Sequence, residues 1–393
     1  MQPLDDLVVV DLTRALAGPF CTLMLGDLGA RVIKVETPDG GDDTRGWGPP
    51  FIGAESAYFL TINRNKESLT LNLKDERGRA ILLRAVERAD VLVENFRPGI
   101  MERFGLDYPT LRRRFARLIY ASISGFGQDG PFRERTAYDL ILQGMGGLMG
   151  ITGEEGGAPV KVGVAITDIC AGMYAAYGIL AALRVRERTG SGQLVDTAML
   201  DGQVSWLTYA AGILFATGEN PQRLGSAHPT IVPYQAFRTR DGYINVAVGS
   251  EAIWRRFCEA VVPDLLDDPR YATNRERVAR RKELVERLAR LFEMRPTGEW
   301  TEVLDGAGVP NGPILTIAET LAHEQVRHRQ MLMEINHPTV GRIKQTGVAV
   351  KLSETPGSLR SAPPTLGQHT AAILRELGYT EGDIAQFRRD GVI

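Results

Sequence analysis

An aspartate, Asp168, stands where the loop Gly163-Val164-Ala165-Ile166-Thr167 runs into a helix-forming stretch that carries no charge from Ile169 to Leu183. A carboxylate at the entrance of an apolar helix sits near the positive end of the helix dipole, in partly dry surroundings. Two roles suit it there. It can cap its own helix by accepting free backbone N–H groups, or it can act as a nucleophile toward an activated carbonyl. Spacing alone favours the cap and leaves the nucleophile open. Few other residues compete for chemistry. Cys21, Cys170 and Cys258 are widely spaced and odd in number, which fits a reducing compartment better than a disulfide framework or a zinc site. The histidines His228, His323, His328, His337 and His369 include no HExxH pair, so no metal centre is expected.

The elements that must position Asp168 follow from periodicity. Short β-rich runs at Leu7–Leu12, Arg31–Glu36, Ser68–Leu73, Asp90–Asn95 and Leu118–Ser124 alternate with helical patterns near Phe20–Leu28, Glu76–Ala89 and Tyr108–Ala116. That alternation predicts an α/β fold with a parallel, Rossmann-like sheet. The turn after the first strand, Thr13-Arg14-Ala15-Leu16-Ala17-Gly18-Pro19, holds one glycine where a dinucleotide site needs G-x-G-x-x-G, which disfavours a nicotinamide or flavin dehydrogenase. The helix that Asp168 opens is predicted over Ile169–Glu187, stops at Thr189-Gly190-Ser191-Gly192, and leads to a strand at Gln193–Thr197.

The uncharged run Gly202 to Gly218 contains Gln203, Ser205, Thr208 and Gly212, and is predicted as a buried helix over Leu200–Thr217, not a membrane span. A hairpin signal, Thr239-Arg240-Asp241-Gly242 between Tyr234–Arg238 and Tyr243–Val248, opens a smaller α+β region. That region continues through a charged helix near Arg275–Glu293 and the segment Val309-Pro310-Asn311-Gly312-Pro313, and helices return at Thr365–Leu377 and Gly382–Arg389. The expected organisation is a large domain over residues 1–199, a linker helix and turn over 200–225, a small domain over 226–331, and a helical C-terminal region over 332–393, whose return to the large domain is implied only by the family resemblance below.

A length of 393 residues suits two domains, and 44% hydrophobic with 24% charged residues is ordinary for a soluble globular protein. The net charge of −2 argues against a general nucleic-acid binder, and the basic clusters Arg112 to Arg117 and Arg275 to Lys282 read as solvated helix faces. The N-terminus enters a strand at once, without a basic region and apolar stretch, so no signal peptide is expected and the predicted localisation is cytoplasmic, with no membrane partner.

Several segments together carry a resemblance: Pro3-Leu4-Asp5, Ala17-Gly18-Pro19, Leu28-Gly29-Ala30-Arg31-Val32-Ile33-Lys34-Val35-Glu36, Asn63-Arg64-Asn65-Lys66, Val93-Glu94-Asn95-Phe96-Arg97-Pro98-Gly99 and Gly190-Ser191-Gly192-Gln193. In this order they resemble the class III CoA-transferase family over nearly the whole chain. The resemblance implies an open Rossmann-like large domain built from both chain ends, a smaller α+β domain, and an interlocked homodimer. It implies no permanently bound cofactor, with coenzyme A or acyl-CoA entering as substrate beside a small carboxylic acid. Asp168 falls at the family's nucleophile. The family's CoA contacts fall on Leu16, Ala17, Leu71, Lys74, Asn95, Phe96, Arg97, Arg103 and Tyr138, with Lys74, Arg97 and Arg103 suited to phosphates.

Departures from the formyl-CoA enzyme bear on substrate. Thr37 and Leu16 stand where that enzyme has an arginine and a glutamine, and Gly225–Tyr234 lacks its glycine run, looking closer to members that handle succinate and glutarate. His228 is open between contact with a second carboxylate and a structural role, Asn65-Lys66 between ligand contact and a turn, and Phe96 between ligand contact and core. The family also holds α-methylacyl-CoA racemases, whose histidine corresponds to Tyr138; a tyrosine of pKa near 10 is a poor base at neutral pH, so transfer of CoA is favoured. A non-catalytic acyl-CoA-binding protein is the third reading, disfavoured by the retained aspartate.

Overall fold

The computed structural model describes residues 1–393, which form two compact units. One comprises residues 1–148, 161–216 and 324–393, the other 149–160 and 217–323. In the first, β1 (Val8–Asp11), β2 (Arg31–Glu36), β3 (Lys66–Thr70), β4 (Val91–Glu94), β5 (Ile119–Ser124) and β6 (Leu194–Ala198) pair in parallel, in the order β3-β2-β1-β4-β5-β6. Alternation along each strand builds two cores. Val9, Val91, Val93, Ile119 and Ile123 face one, and Val10, Leu92 and Tyr120 face the other, so helices must cover both sides.

The helices that matter here are α1 (Ala17–Asp27), α2 (Ala57–Ile62), α3 (Glu76–Glu87), α4 (Ile100–Arg103), α5 (Tyr108–Arg114), α6 (Asp139–Met145), α7 (Ile166–Thr189), α8 (Met199–Ser205) and α9 (Thr208–Thr217). Helix α3 shows the local logic. Asp75 caps it by accepting the Arg77 N–H, and Ile81, Leu82, Ala85 and Val86 form its buried stripe. Both chain ends build this unit, as expected. Ser68 on β3 accepts the His369 N–H, and the Thr70 N–H donates to the Thr370 hydroxyl at 2.9 Å.

Several expectations change. The strand predicted over Ser68–Leu73 lies at Lys66–Thr70, and Lys66, which begins it, has its side chain buried in an ion pair with Asp11 at 3.1 Å. Asn65 is likewise structural. Its amide spans Asp27 and Ser358, and its oxygen takes the N–H groups of Arg360 and Ser361. The helix predicted over Leu200–Thr217 is two helices, α8 and α9, and α9 fully buries only Ala210, with Ala211, Ile213 and Leu214 half-buried, so much of its apolar surface stays exposed.

The second unit carries an antiparallel sheet of β7 (Tyr234–Arg238), β8 (Tyr243–Ala247) and β9 (Asn311–Pro313) around an aromatic core including Phe237, Trp254, Phe257, Phe292 and Trp300. The basic cluster 275–282 is not wholly a solvated face there. Arg277 is fully buried, paired with Glu251 at 2.8 Å and lying 4.6 Å from the Trp254 ring centroid.

One close approach positions Asp168. Helix α7 packs on α1 at Gly172, where an added Cβ would lie 2.6 Å from the Ala17 carbonyl oxygen. Only a residue without a side chain lets the two backbones meet. Gly172→Val is therefore expected to push α7 off α1 and lower unfolding stability by about 1–3 kcal/mol, read by urea denaturation; a variant as stable as wild type would show that the approach carries no constraint.

Candidate active site

The sheet order reverses between β1 and β4, and open α/β sheets bind ligands just beyond the strand ends at such a point. The loops leaving these two strands are tied together there. The Arg14 N–H donates to the Asn95 side-chain oxygen at 2.9 Å, and the Asn95 amide donates back to the Arg14 carbonyl at 2.8 Å. Around this seam lies a cavity of about 280 Å³ that includes Asp168, Ala17, Asn95, Phe96, Arg97 and Tyr138 in its wall.

Asp168 does not cap its own helix. Helix α7 starts at Ile166, three residues before the predicted start, so Asp168 lies in its first turn, and the capping position is Ala165. The N–H of Thr167 is taken instead by Asp139 of α6 at 2.9 Å, and the Thr167 hydroxyl donates to the same carboxylate oxygen at 2.7 Å. With its helix start served from outside, the Asp168 carboxylate turns to the Ala17 N–H at the uncapped start of α1. Burial pushes the Asp168 carboxyl up to about 7, the negative charge of Asp139 pushes the same way, and the Ala17 N–H opposes both. Tyr58 on α2 shares the region. Burial and the charges of Asp168, Asp42 and Asp139 raise its hydroxyl to about 12, and its ring stands edge-on to Trp47, a cavity residue.

Four arginines, Arg14, Arg97, Arg133 and Arg135, reach the cavity against two carboxylates, Asp43 and Asp168. Arg14 lies 5.6 Å from the Phe96 ring centroid, and Phe96, half-buried, also packs against the core. A second cavity of about 220 Å³ shares Arg97 and Arg133 and holds Glu94. Burial lifts the Glu94 carboxyl to about 7, although it bonds the Ser122 hydroxyl and the Phe96 N–H.

The other expected contacts are placed less uniformly. Leu16 is the capping residue of α1, Leu71 is buried in the core with its N–H donated to the Glu36 carbonyl, and Lys74 and Arg103 are exposed outside the cavity wall. The Thr37 hydroxyl donates into its own loop at Asp39 and Gly41. His228 belongs to the second unit, where its ring nitrogen accepts the Thr230 N–H at 3.2 Å. Sequence spacing gave no reason to single out Asp139, Tyr58, Arg14 or Arg133, although Asp139 directly follows Tyr138.

Residues 4–370 match the model of CoA-transferase family III. The chain belongs to this family. It is 46% identical to the succinyl-CoA:glutarate CoA-transferase of Mus musculus, across 100% of this chain and 91% of that protein. It is 41% identical to the succinate–glutarate CoA-transferase of Agrobacterium fabrum, across 95% of this chain and 96% of that one. Among solved structures, a CAIB/BAIF family protein from Brucella suis superposes with a TM-score of 0.86 at 42% identity, covering 96% of this chain and 99% of that chain. The protein is an enzyme with CoA-transferase activity, and acyl-CoA thioesters and carboxylates are the substrates such activity uses.

The raised Asp168 carboxyl makes this CoA-transferase sensitive to pH in a defined sense. A carboxyl whose folded pKa exceeds its unfolded one holds an extra proton in the folded state, so its contribution to stability falls as pH rises from about 4 to about 7. Asp168→Asn removes that loss. The variant should melt above wild type at pH 8, with the gap closing toward pH 4, in calorimetry; a gap independent of pH would mean that the carboxyl titrates normally.

Proposed function

We propose that this CoA-transferase moves CoA from succinyl-CoA to a small dicarboxylic acid, with Asp168 as the nucleophile that carries the acyl and CoA groups in turn. The observation that carries the reading is the Asp168 carboxylate itself, raised to about 7, open to a cavity, and facing the backbone N–H of Ala17. A carboxylate of raised basicity is a better nucleophile than an ordinary one, and with a pKa of about 7 about half of it is ionised at neutral pH. The arginines around it favour a substrate rich in negative charge. Relatives named for succinyl-CoA and glutarate support the choice of donor and acceptor class.

The steps follow from the groups present. An Asp168 oxygen attacks the thioester carbonyl and expels CoA thiolate, leaving an acyl-aspartyl anhydride. The thiolate attacks the Asp168 carbonyl carbon, releasing the donor acid as its carboxylate and leaving Asp168 as a CoA thioester. The acceptor carboxylate attacks that thioester, expels the thiolate and forms a second anhydride. The thiolate then takes the acceptor acyl group, and Asp168 returns as a carboxylate. At each attack on the Asp168 carbonyl, negative charge develops on its oxygen, where the Ala17 N–H is already aimed. Anhydride and thioester keep the group activated throughout, which a serine ester would not. For CoA binding, Asn95, Phe96, Arg97 and Tyr138 contribute from the cavity wall, and Ala17 and Leu16 through the start of α1.

Asp168→Ala should abolish acceptor-dependent exchange while the protein stays folded. In wild type incubated with succinyl-CoA, hydroxylamine should trap a modified Asp168, detected by mass spectrometry, and a panel of acids should show dicarboxylates outpacing monocarboxylates. Normal turnover in a purified alanine variant would sink the mechanism.

The assembly we infer is a homodimer. Tyr177, Tyr209 and Phe215, on α7 and α9, are 71%, 61% and 82% exposed, large apolar side chains that a second copy would cover. Light scattering should give twice the chain mass at micromolar concentration, and a monomer there would count against the dimer.

A further inference from the structure

Beneath the loop that carries Ala17 lies a set of buried charges that the proposed reaction does not use directly. At the end of β1, Asp11 is fully buried. Its oxygens take the Thr13 N–H at 2.8 Å, the Thr22 hydroxyl at 2.6 Å and the Lys66 ammonium at 3.1 Å. Lys34 on β2 is equally buried, donates to the Thr13 carbonyl at 2.8 Å and pairs with Asp42 at 2.8 Å. The other Asp42 oxygen takes the Thr44 N–H at 3.0 Å, the Thr44 hydroxyl at 2.8 Å and the Ala15 N–H at 3.3 Å.

Ala15 is the residue that needs holding. Its φ is +64°, in the left-handed region that a residue with a Cβ avoids, and it stands two positions before Ala17. On either side the chain is clamped, Thr13 by Lys34 and Arg14 by Asn95. Asp42 supplies the clamp on Ala15 itself. Were Ala15 to relax, the peptide units after it would rotate and the Ala17 N–H would leave the Asp168 carboxylate.

We propose that Asp42 is a positioning residue for the reaction: paired with Lys34, it holds Ala15 in its left-handed conformation and thereby aims the Ala17 N–H at Asp168. Asp42 is 2% exposed and stands outside the cavity wall, so it acts through the loop and not on substrate. This inference rests on the reading of Asp168 as nucleophile.

The consequence separates binding from chemistry. Asp42→Asn has one oxygen where two are used, and so gives up either Lys34 or Ala15. With the donor and acceptor pair that wild type turns over, kcat per folded site should fall about tenfold or more while KM for acyl-CoA stays within about twofold. Adding Ala15→Gly to Asp42→Asn should recover most of the lost kcat, because glycine adopts a positive φ without steric cost. A purely structural role predicts the reverse, since a glycine in a loosened loop only adds disorder to the unfolded and folded chain. If Asp42→Asn does not fold, the paired replacement Lys34→Met with Asp42→Leu removes both charges together, which buried pairs often tolerate, and should show the same drop in kcat, again eased by Ala15→Gly.

The inference is overturned if the folded variant keeps wild-type kcat, or if glycine at position 15 restores nothing. Asp168→Ala serves as the control on the reading beneath it. An inactive Asp168→Ala beside a fully active Asp42→Asn overturns the positioning role alone, whereas an active Asp168→Ala overturns the nucleophile and this inference with it.

Discussion

The contact on which the rest of the site depends is the approach of the Ala17 N–H to the Asp168 carboxylate, between the starts of two helices. Neither group is satisfied by its own helix. The start of α1 has no side-chain cap, and the start of α7 is served by Asp139, so a free donor and a free carboxylate remain for each other. Gly172 makes the meeting possible by letting the two helix backbones touch, and the sheet order sets both loops at the point where strand direction across the sheet reverses. The positive helix end favours the ionised carboxylate, while burial and Asp139 favour the protonated one, and the balance falls near neutrality.

That balance illustrates a conflict between folding and reactivity. A carboxyl held well above its ordinary range destabilises the folded chain once it ionises, yet the same environment makes it the stronger nucleophile. The cost is met by the large two-sided core of the sheet. Elsewhere in the same unit, buried charges are paired and hydrogen-bonded to a much greater degree. Burial alone would raise the Asp11 carboxyl, but Lys66, Lys34, Thr13 and Thr22 hold it at about 2. A buried ion pair gains little net stability over apolar packing, so the cluster of Asp11, Lys34, Lys66 and Asp42 is better understood as fixing the geometry of the loop above it than as strengthening the sheet.

The resemblance to CoA-transferases was legible because several short segments occur in one order, and four of them flank the strand ends of the large unit. Their residues divide between two duties that the sequence does not distinguish. In Asn63-Arg64-Asn65-Lys66, Arg64 pairs with Asp27 at 2.6 Å, Asn65 ties the chain near Ser358, and Lys66 pairs with Asp11. In Val93-Glu94-Asn95-Phe96-Arg97-Pro98-Gly99, by contrast, Asn95, Phe96 and Arg97 open onto the cavity. A run of polar residues looks alike in both cases, because polarity records neither burial nor partner.

By itself the sequence determined the alternation of strands and helices, the parallel sheet, and the importance of Asp168 at the head of an uncharged helix. These are local properties, carried by hydrophobic period and by glycine and proline at element ends. Tertiary structure alone decided which carboxylate served as cap and which was left free, because Asp139 and Thr167 are separated by 28 residues and meet only when α6 packs beside α7. It also decided that Leu71 turns into the core, that most of α9 stays exposed, and that Lys66 is buried in a strand. Each of these depends on a partner brought from a distant part of the chain, and pairing across such distances is set by the packing of the sheet and its helices, which no local pattern encodes.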